Sequence, residues 1–228
     1  STPFDAGGLV VQFATNSAST GQSYLVDIAV GAAAAEQDII QNLLLETAGS
    51  AGTLQGVIWV PIPIPAGSRV AARQQNNGTT GTIAVSAILL AGGLFGVPSG
   101  GRCLTIGADT ATSKGAVIDP VAVANTKGAY TELTASLAYR INTLMLAIGA
   151  NLNTAPSTAR WLIDIAVGAA ASEQIVIPNL LLTVAAAARS QLPNWIGPLP
   201  LMIPSGSRLA VRAQCNITDV TDRKFTVA

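Results

Sequence analysis

The sequence predicts an all-β protein built from two tandem antiparallel β-sandwich domains of jelly-roll type, related by internal duplication. The block at 25–45 (LVDIAVGAAAAEQDIIQNLLL) returns at 162–182 as LIDIAVGAAASEQIVIPNLLL. A second block at 62–77 (IPIPAGSRVAARQQNN) returns at 200–216 as PLMIPSGSRLAVRAQCN. Self-similarity of this kind is the signature of a duplicated structural unit. Within each copy, apolar and polar residues alternate with a period of two, as in half-buried strands, and turn residues recur about every 8–12 positions.

The repeat boundaries predict a first domain at 1–97, a linker at 98–101 rich in Gly and Ser, and a second domain at 102–228. The opening STPFDAGGLVVQFA (1–14) aligns with SLAYRINTLMLAIG (136–149), so 102–135 has no counterpart in the first copy. We therefore expect the first domain to lack its N-terminal strands. Either further sequence precedes Ser1, or a neighbouring subunit donates those strands.

In the first copy, period-two patterns and short apolar runs predict six strands in order, at 9–13, 24–31, 38–46, 57–65, 69–75 and 82–90. The run AAAAEQ (32–37) is too short for a helix and predicts a connection or a single helical turn. Prolines at alternating positions in VIWVPIPIP (57–65) cannot donate backbone hydrogen bonds, so this segment is expected at a sheet edge or in a crossover.

The second copy is expected to add two early strands, near 103–107 and 130–135, before it repeats the pattern of the first. A complete copy then holds seven or eight short strands. This number and spacing favour a sandwich, with a jelly roll as the preferred version.

Composition excludes several classes of function. The chain has 12 basic and 12 acidic residues, without a basic stripe, which gives no support to nucleic-acid binding. It contains no histidine, which removes the commonest general base and metal ligand. Its longest apolar run, at 83–97, is shorter than a membrane span and predicts a buried strand, so no membrane partner is expected. Cys103 and Cys215 lie at non-equivalent positions and are predicted to be free, buried thiols, which fits folding in a reducing cytosol.

Five polar positions are repeated between the copies: Asp27/Asp164, Glu36/Glu173, Asn42/Asn179, Arg69/Arg208 and Arg73/Arg212. A pair of carboxylates could serve as acid and base in glycoside hydrolysis. The preferred interpretation is structural, because buried ionised groups persist mainly when they are paired. Asp27 is expected to pair with Arg73, and Asp164 with Arg212, across adjacent strands. No catalytic residue is assigned.

Aromatic and loop residues give weaker indications. Trp59 and Trp195 flank the proline-rich segment and are candidates for packing, for an interface or for a sugar-binding platform, with packing or an interface preferred. Trp161 replaces Tyr24 at a strand start. The loop DTATSKG (109–115) has too few carboxylates for Ca²⁺ and lacks the spacing of a phosphate-binding loop, so no metal and no cofactor is predicted.

The phrases NTKGAYTELTAS (125–136), WLIDIAVGAAASEQIVIPNLLL (161–182) and IPSGSRLAVRAQ (203–214) resemble repeats in virion structural proteins of tailed bacteriophages. The opening STPFDA (1–6) is similar to the middle of the same repeat. In that group the motifs are packing signatures. Ala29 and Ala166 stand where a second glycine is often found, which is a small departure from the pattern.

This resemblance implies a non-enzymatic structural or adaptor protein of the virion, assembled in the host cytoplasm. A place in the tail, baseplate or fibre is preferred, and duplication suits a chain that occupies two quasi-equivalent positions in a symmetric assembly. The expected partners are further copies of the chain and other virion proteins. The alternatives are a spike or fibre module that binds host surface polysaccharide, and a capsid decoration protein.

Overall fold

The structure is a computed structural model that describes residues 1–15, 23–46, 55–77, 83–91, 101–107, 110–111, 115–150, 159–184, 196–218 and 223–227. Strands, turns and bends account for all regular structure in these ranges, and none of their residues is helical. The all-β prediction is thus confirmed. The strands form four sheets within two compact units, the first mainly Ser1–Thr105 and the second mainly Ser113–Val227.

The first unit contains two sheets. One has the strand order β4-β1-β6, and the other has the order β5-β2-β3-β7. The β3–β7 pair is parallel and the other pairs are antiparallel. The strand bounds are β1 Ala6–Thr15, β2 Ser23–Val30, β3 Gln37–Glu46, β4 Gln55–Val60, β5 Val70–Asn76, β6 Ile83–Ala91 and β7 Cys103–Leu104.

The second unit contains two four-stranded antiparallel sheets, with the orders β13-β10-β15-β8 and β12-β11-β14-β9. The first repeated block forms β2 and β3 in the first unit and β11 and β12 in the second, and the second block ends in β5 and β14, respectively. The strand bounds are β8 Ala116–Ile118, β9 Thr131–Thr134, β10 Ile141–Ala150, β11 Ala159–Val167, β12 Gln174–Val184, β13 Ile196–Ile203, β14 Leu209–Cys215 and β15 Arg223–Val227.

The core of the second unit lies between its two sheets. Ile118 and Leu144 come from one sheet, and Trp161, Ile163 and Val211 from the other, and all five are fully buried in a single apolar cluster. On β11 these inward residues alternate with Leu162 and Asp164, as the period-two pattern predicts. Burial of such side chains contributes roughly 1.5–3 kcal/mol each and is the main stabilising term of the unit.

The segment at 57–65, predicted to lie at a sheet edge or in a crossover, begins in the edge strand β4 and continues beyond it. β4 pairs only with β1 in the described part of the first unit, and β13 pairs only with β10 in that of the second. After Val60, residues 61–65 leave the strand, apart from an isolated bridge between Ala6 and Ile64. The prolines at 61, 63 and 65 thus lie outside the regular strand, where their lack of a backbone N–H removes no ladder hydrogen bond of β4.

The segment predicted as the first strand of the second copy pairs instead with the first unit. Cys103 and Leu104 lie parallel to Ile40 and Gln41 of β3, and the Thr105 amide donates to the Gln41 carbonyl at 3.2 Å. At the position that corresponds to Gln41, β12 has Pro178. Proline disfavours the addition of a further strand at an edge because it has no backbone N–H to donate. β3 therefore keeps at this position a backbone N–H that β12 lacks.

The alanine-rich connection forms a tight turn without becoming a helix. The Ala35 amide donates to the Ala32 carbonyl at 3.0 Å, and Ser172 repeats this bond to Ala169 at 3.0 Å. Gly31 enters the turn at a φ of 131°, and its Cβ, if present, would lie 2.8 Å from a backbone oxygen. A side chain at this position would therefore clash with the turn. The prediction of a connection or a single turn at 32–37 is confirmed as a connection.

Candidate functional site

Two of the repeated polar residues of the second unit, Asn179 and Arg212, meet at Asp164. Arg212 Nε donates to Asp164 Oδ2 at 2.9 Å, and Lys127 Nζ donates to Asp164 Oδ1 at 2.8 Å. The amide of Asn179 donates to the same Oδ1 at 2.9 Å. With only 2% of its surface exposed, Asp164 is the buried centre of an ion-pair cluster. Both of its oxygens are engaged as hydrogen-bond acceptors.

The equivalent cluster in the first unit is centred on Asp27. Arg73 Nε donates to Asp27 Oδ2 at 2.7 Å, and the Asn42 amide donates to Oδ1 at 2.7 Å. Arg73 also donates to Asp38 at 2.8 Å, where the second unit has Ile175. The exposed fraction of the arginine side chain is 69% here and 28% for Arg212. The first cluster is therefore much more open to solvent.

Each aspartate lies opposite a bulge in the neighbouring strand. Ile163 pairs with Leu180 and Ile165 with Ile177, so Asp164 faces two residues of β12, Pro178 and Asn179. Asn179 takes a left-handed φ of 51°, and Asn42 takes 56° in the first unit. Asparagine tolerates this conformation better than most residues. The bulge takes the backbone N–H of this asparagine out of the regular ladder of hydrogen bonds, and the aspartate carboxylate accepts a hydrogen bond from it instead.

A second ion pair holds the alanine-rich turn. Arg69 donates to Glu36 at 2.6 Å, and Arg208 donates to Glu173 at 3.0 Å. Arg208 donates further to Glu132 of β9 at 2.7 Å. The repeated Glu and Arg positions, which the sequence analysis singled out without assigning partners, thus pair with each other in both units.

Residues 127–132 cover the outer side of the Asp164 cluster. Besides Lys127, this segment places the Tyr130 ring 4.6 Å from the guanidinium carbon of Arg212, within cation–π range. It also supplies Glu132 to Arg208. Lys127, Tyr130 and Glu132 are functional-site residues to which no sequence motif assigned a role. The sequence feature that could have identified these three residues is their position in the one segment that the first copy lacks.

The environment fixes the charge state of these groups. Burial alone would raise the pKa of Asp164, but hydrogen bonds from Lys127, from the Asn179 amide and from Arg212 outweigh it, and the pKa lies below its usual value. The pKa of Glu173 is also lowered, first by its own backbone amide and then by Arg208, against the opposing effect of burial. A carboxylate stabilised as an anion by three donors is a poor proton acceptor.

The two cysteines are free and buried. Burial raises the pKa of Cys103 to about 12, so its thiol stays protonated near neutral pH. Because the thiolate is the reactive form, we expect this thiol to react slowly while it stays buried.

The tryptophans differ in their burial. Trp161 is fully buried in the core of the second unit, and Tyr24 is fully buried at the corresponding place in the first. Trp59 is half-buried on β4. A Cβ on Gly8 of β1 would lie 3.0 Å from the Trp59 ring nitrogen, so the indole packs against the backbone of β1. Trp195 lies outside the described residues, as does most of the predicted linker at 98–101.

Two further properties concern ligands and membranes. No group of three or more His, Cys, Asp or Glu side chains suited to a metal ion occurs within the ranges that the structure describes. The same ranges contain no helix with the length and apolar character needed to cross a membrane. Searches with the sequence and the structure found no matching family model, no similar curated protein and no similar solved structure.

Proposed function

We propose that the chain is a non-enzymatic structural protein of a tailed-phage virion, in which two jelly-roll domains related by duplication contribute to a symmetric assembly. The observation that carries the proposal is the repeated Asp–Arg–Asn cluster. Its groups hold neighbouring strands together in both units, and its carboxylates have no oxygen left unbonded. The phage assignment itself rests on the resemblance of the repeat motifs.

The strand order of the second unit supports the jelly-roll assignment. In chain order, β8 to β11 alternate between two four-stranded sheets, β12 stays in the sheet of β11, and β13 to β15 alternate again, which gives the orders 8-15-10-13 and 9-14-11-12. Two Greek keys folded over each other give this order. The apolar cluster with members from both sheets corresponds to the interior of such a sandwich.

Matched backbone contacts support the duplication. The Thr2 amide donates to Ser68 O at 2.8 Å, and the Leu137 amide donates to Ser207 O at 2.9 Å. These bonds agree with the alignment of Ser1 with Ser136. Leu9 pairs with Val60 as Leu144 pairs with Leu199, so one pair of the edge strands also corresponds.

A structural role accounts for the placement of the charged residues better than catalysis does. An acid–base pair needs a proton donor and an acceptor that face a common substrate. Asp164 and Glu173 instead bind different arginines, and both have a lowered pKa. The same contacts, including the bulge, occur in both copies, as expected of contacts that hold the strands of each copy together.

Size-exclusion chromatography with light scattering on the 228-residue chain tests the proposal. A component of a symmetric assembly should form a homo-oligomer of defined mass as its concentration rises. A compact monomer at every concentration would contradict it. Catalysis is tested separately. Turnover of an oligosaccharide that is lost in Glu173→Gln but retained in Glu36→Gln would contradict the structural role and indicate a glycosidase.

A further inference from the structure

The short bend that leads into the first long strand of the repeat presents an exposed aromatic side chain in both units. We call residues 3–5 and 138–140, which the repeat aligns with each other, the entry bends of the first and the second unit. Phe4 is 38% exposed in the first bend, and Tyr139 is 52% exposed in the second. One exposed aromatic would need no explanation, whereas the same exposure at equivalent positions of both copies indicates a shared role at the surface.

The backbone next to each entry bend is held in place. Thr2, directly before the first bend, and Leu137, directly before the second, are both buried. The amide of each donates to the serine carbonyl of the neighbouring tight turn, at 2.8 and 2.9 Å, respectively. After the first bend, the amide of Ala6 donates to the Ile64 carbonyl at 2.8 Å. A side chain presented by a fixed backbone loses less conformational entropy when it binds a partner.

The residue after the aromatic has the opposite charge in the two units. Asp5 follows Phe4, Arg140 follows Tyr139, and both charged residues are exposed. The amide of Ala66 donates to Asp5 Oδ1 at 2.7 Å, which orients the carboxylate without neutralising it. Among the described contacts, neither Asp5 nor Arg140 has an oppositely charged partner. The repeat thus retains the charges of the ion-pair clusters but reverses the charge at this exposed position.

The two copies as a whole differ in charge in the same sense. Residues 1–97 include five acidic and two basic side chains, whereas residues 102–228 include seven acidic and ten basic ones. The first copy therefore has a net charge of −3 and the second a net charge of +3. Opposite net charges attract the first unit of one molecule to the second unit of another and accelerate their encounter.

The segments that flank a copy in the chain leave its entry bend open. In the second unit, residues 115–135 precede the bend and bind to the unit, yet Tyr139 stays exposed. In the first unit, residues 103–105 follow the copy and bind to β3, yet Phe4 stays exposed. Each unit thus shows that one of the two flanking segments does not cover the bend. The partner of an entry bend is therefore sought outside the flanks of its own copy.

We infer that the entry bend of the first unit binds the entry bend of the second unit in a neighbouring copy of this chain. Because the two bends are equivalent, the contact has an approximate twofold axis, and residues close to this axis meet their own equivalents. Phe4 then packs against Tyr139, and Asp5 faces Arg140. Contacts between two first units or between two second units would bring like charges together, so the charges select unlike units. The inference rests on the proposed function, whose self-assembly it assigns to a particular contact.

Charge reversal at the two bends tests this contact. Asp5→Arg and Arg140→Asp each give a chain with like charges on both bends. We expect each to raise the dissociation constant of the oligomer at least ~10-fold, measured by analytical ultracentrifugation. An equimolar mixture of the two variants should associate to within ~3-fold of the parent chain, because each variant then meets the opposite charge on the other.

The mixture also serves as the control for folding, since a chain that merely failed to fold would not be rescued by mixing. A second control is Asp5→Asn, which keeps an oxygen for the Ala66 amide and removes only the charge. Its dissociation constant should lie between those of the parent chain and Asp5→Arg.

Three results would overturn the inference, and they are distinguishable. Unchanged dissociation constants in both charge-reversed variants would remove the entry bends as the contact and leave the proposed assembly in place, because the oligomer would still form. A mixture that stays dissociated would show that the two positions do not face each other. A parent chain that forms no oligomer at any concentration would contradict the proposed function together with the contact.

Discussion

The carboxylate of Asp164 accepts the backbone amide of Asn179 at 2.9 Å, directly opposite a bulge in β12. Asp27 and Asn42 form the same bond at 2.7 Å in the first unit. Each aspartate therefore satisfies a backbone donor that the strand ladder cannot, and at the same time it pairs with an arginine on the opposite neighbouring strand. This triple connection explains why a charged residue lies in the middle of an otherwise apolar strand.

Removing the charge should affect the two units unequally. Asp164→Asn leaves Lys127 and Arg212 without their buried anion, and we expect it to lower the free energy of unfolding of the second unit by about 3 kcal/mol. Asp27→Asn is the matched control. Its arginine is largely exposed, so the expected loss is about 1 kcal/mol or less. Hydrogen exchange during urea titration, followed separately for β2 and β11, measures both values. Equal losses would contradict the difference in burial.

The second unit should lose stability in acid through Asp164. Its folded-state pKa lies below the ordinary value of 3.8. The carboxylate therefore contributes its full stabilisation above that value and loses it as the pH falls through the lower, folded-state pKa. Over this pH range, the urea concentration at the unfolding midpoint of the second unit should decrease. The decrease should be smaller in Asp164→Asn. Glu173 acts in the same direction, so the comparison of variants isolates Asp164. Parallel pH profiles would show that Asp164 is not the titrating group.

The backbone conformation of Asn179 in the bulge predicts which substitutions this position tolerates. Its φ of 51° is costly for residues other than Gly, Asn and Asp, so Asn179→Ala should destabilise the second unit by about 1 kcal/mol. Asn179→Gly should remain close to the parent chain, because glycine adopts this conformation freely and keeps the amide that Asp164 binds. Thermal unfolding of the three chains measures this. If glycine is as harmful as alanine, the side chain rather than the backbone conformation is the critical feature.

The pairing of β7 with β3 should depend on Gln41. Replacing it with proline, the residue that β12 has at this place, should release Cys103 from its buried position and increase its rate of alkylation at least ~10-fold. Cys215, which is 1% exposed in the core of the second unit, is the internal control. Peptide mapping after a timed exposure to iodoacetamide distinguishes the two thiols. An unchanged rate at Cys103 would mean that β7 is held by contacts other than this edge.

Local sequence pattern was sufficient for most strands and for the character of the edges. The alternation at 24–31 predicts β2, observed at Ser23–Val30, and the prolines at 57–65 predict an edge strand. The internal repeat alone identifies the Asp–Arg positions. These features are encoded within a few neighbouring residues, or by comparison of the two copies, and so they are accessible from one sequence.

Features that depend on competition between distant segments were not predicted. The three-residue strand β8 has too little sequence to show a period, and it forms because β15 offers an edge. Cys103–Leu104 pairs with β3 of the first unit, at a position where β12 of the second unit has a proline. The roles of Lys127 and Glu132 become visible only once their segment is folded over β14. Each of these depends on which edge is available, and this is a property of the assembled sheets.

The most direct test of the proposed function is quantitative mass spectrometry of tailed particles purified by density gradient from a lysate of cells that carry the gene for this chain. A virion structural protein should be present in many copies per particle, at a constant ratio to the other particle proteins across the gradient peak. Infectious particles that lack the chain would contradict the account.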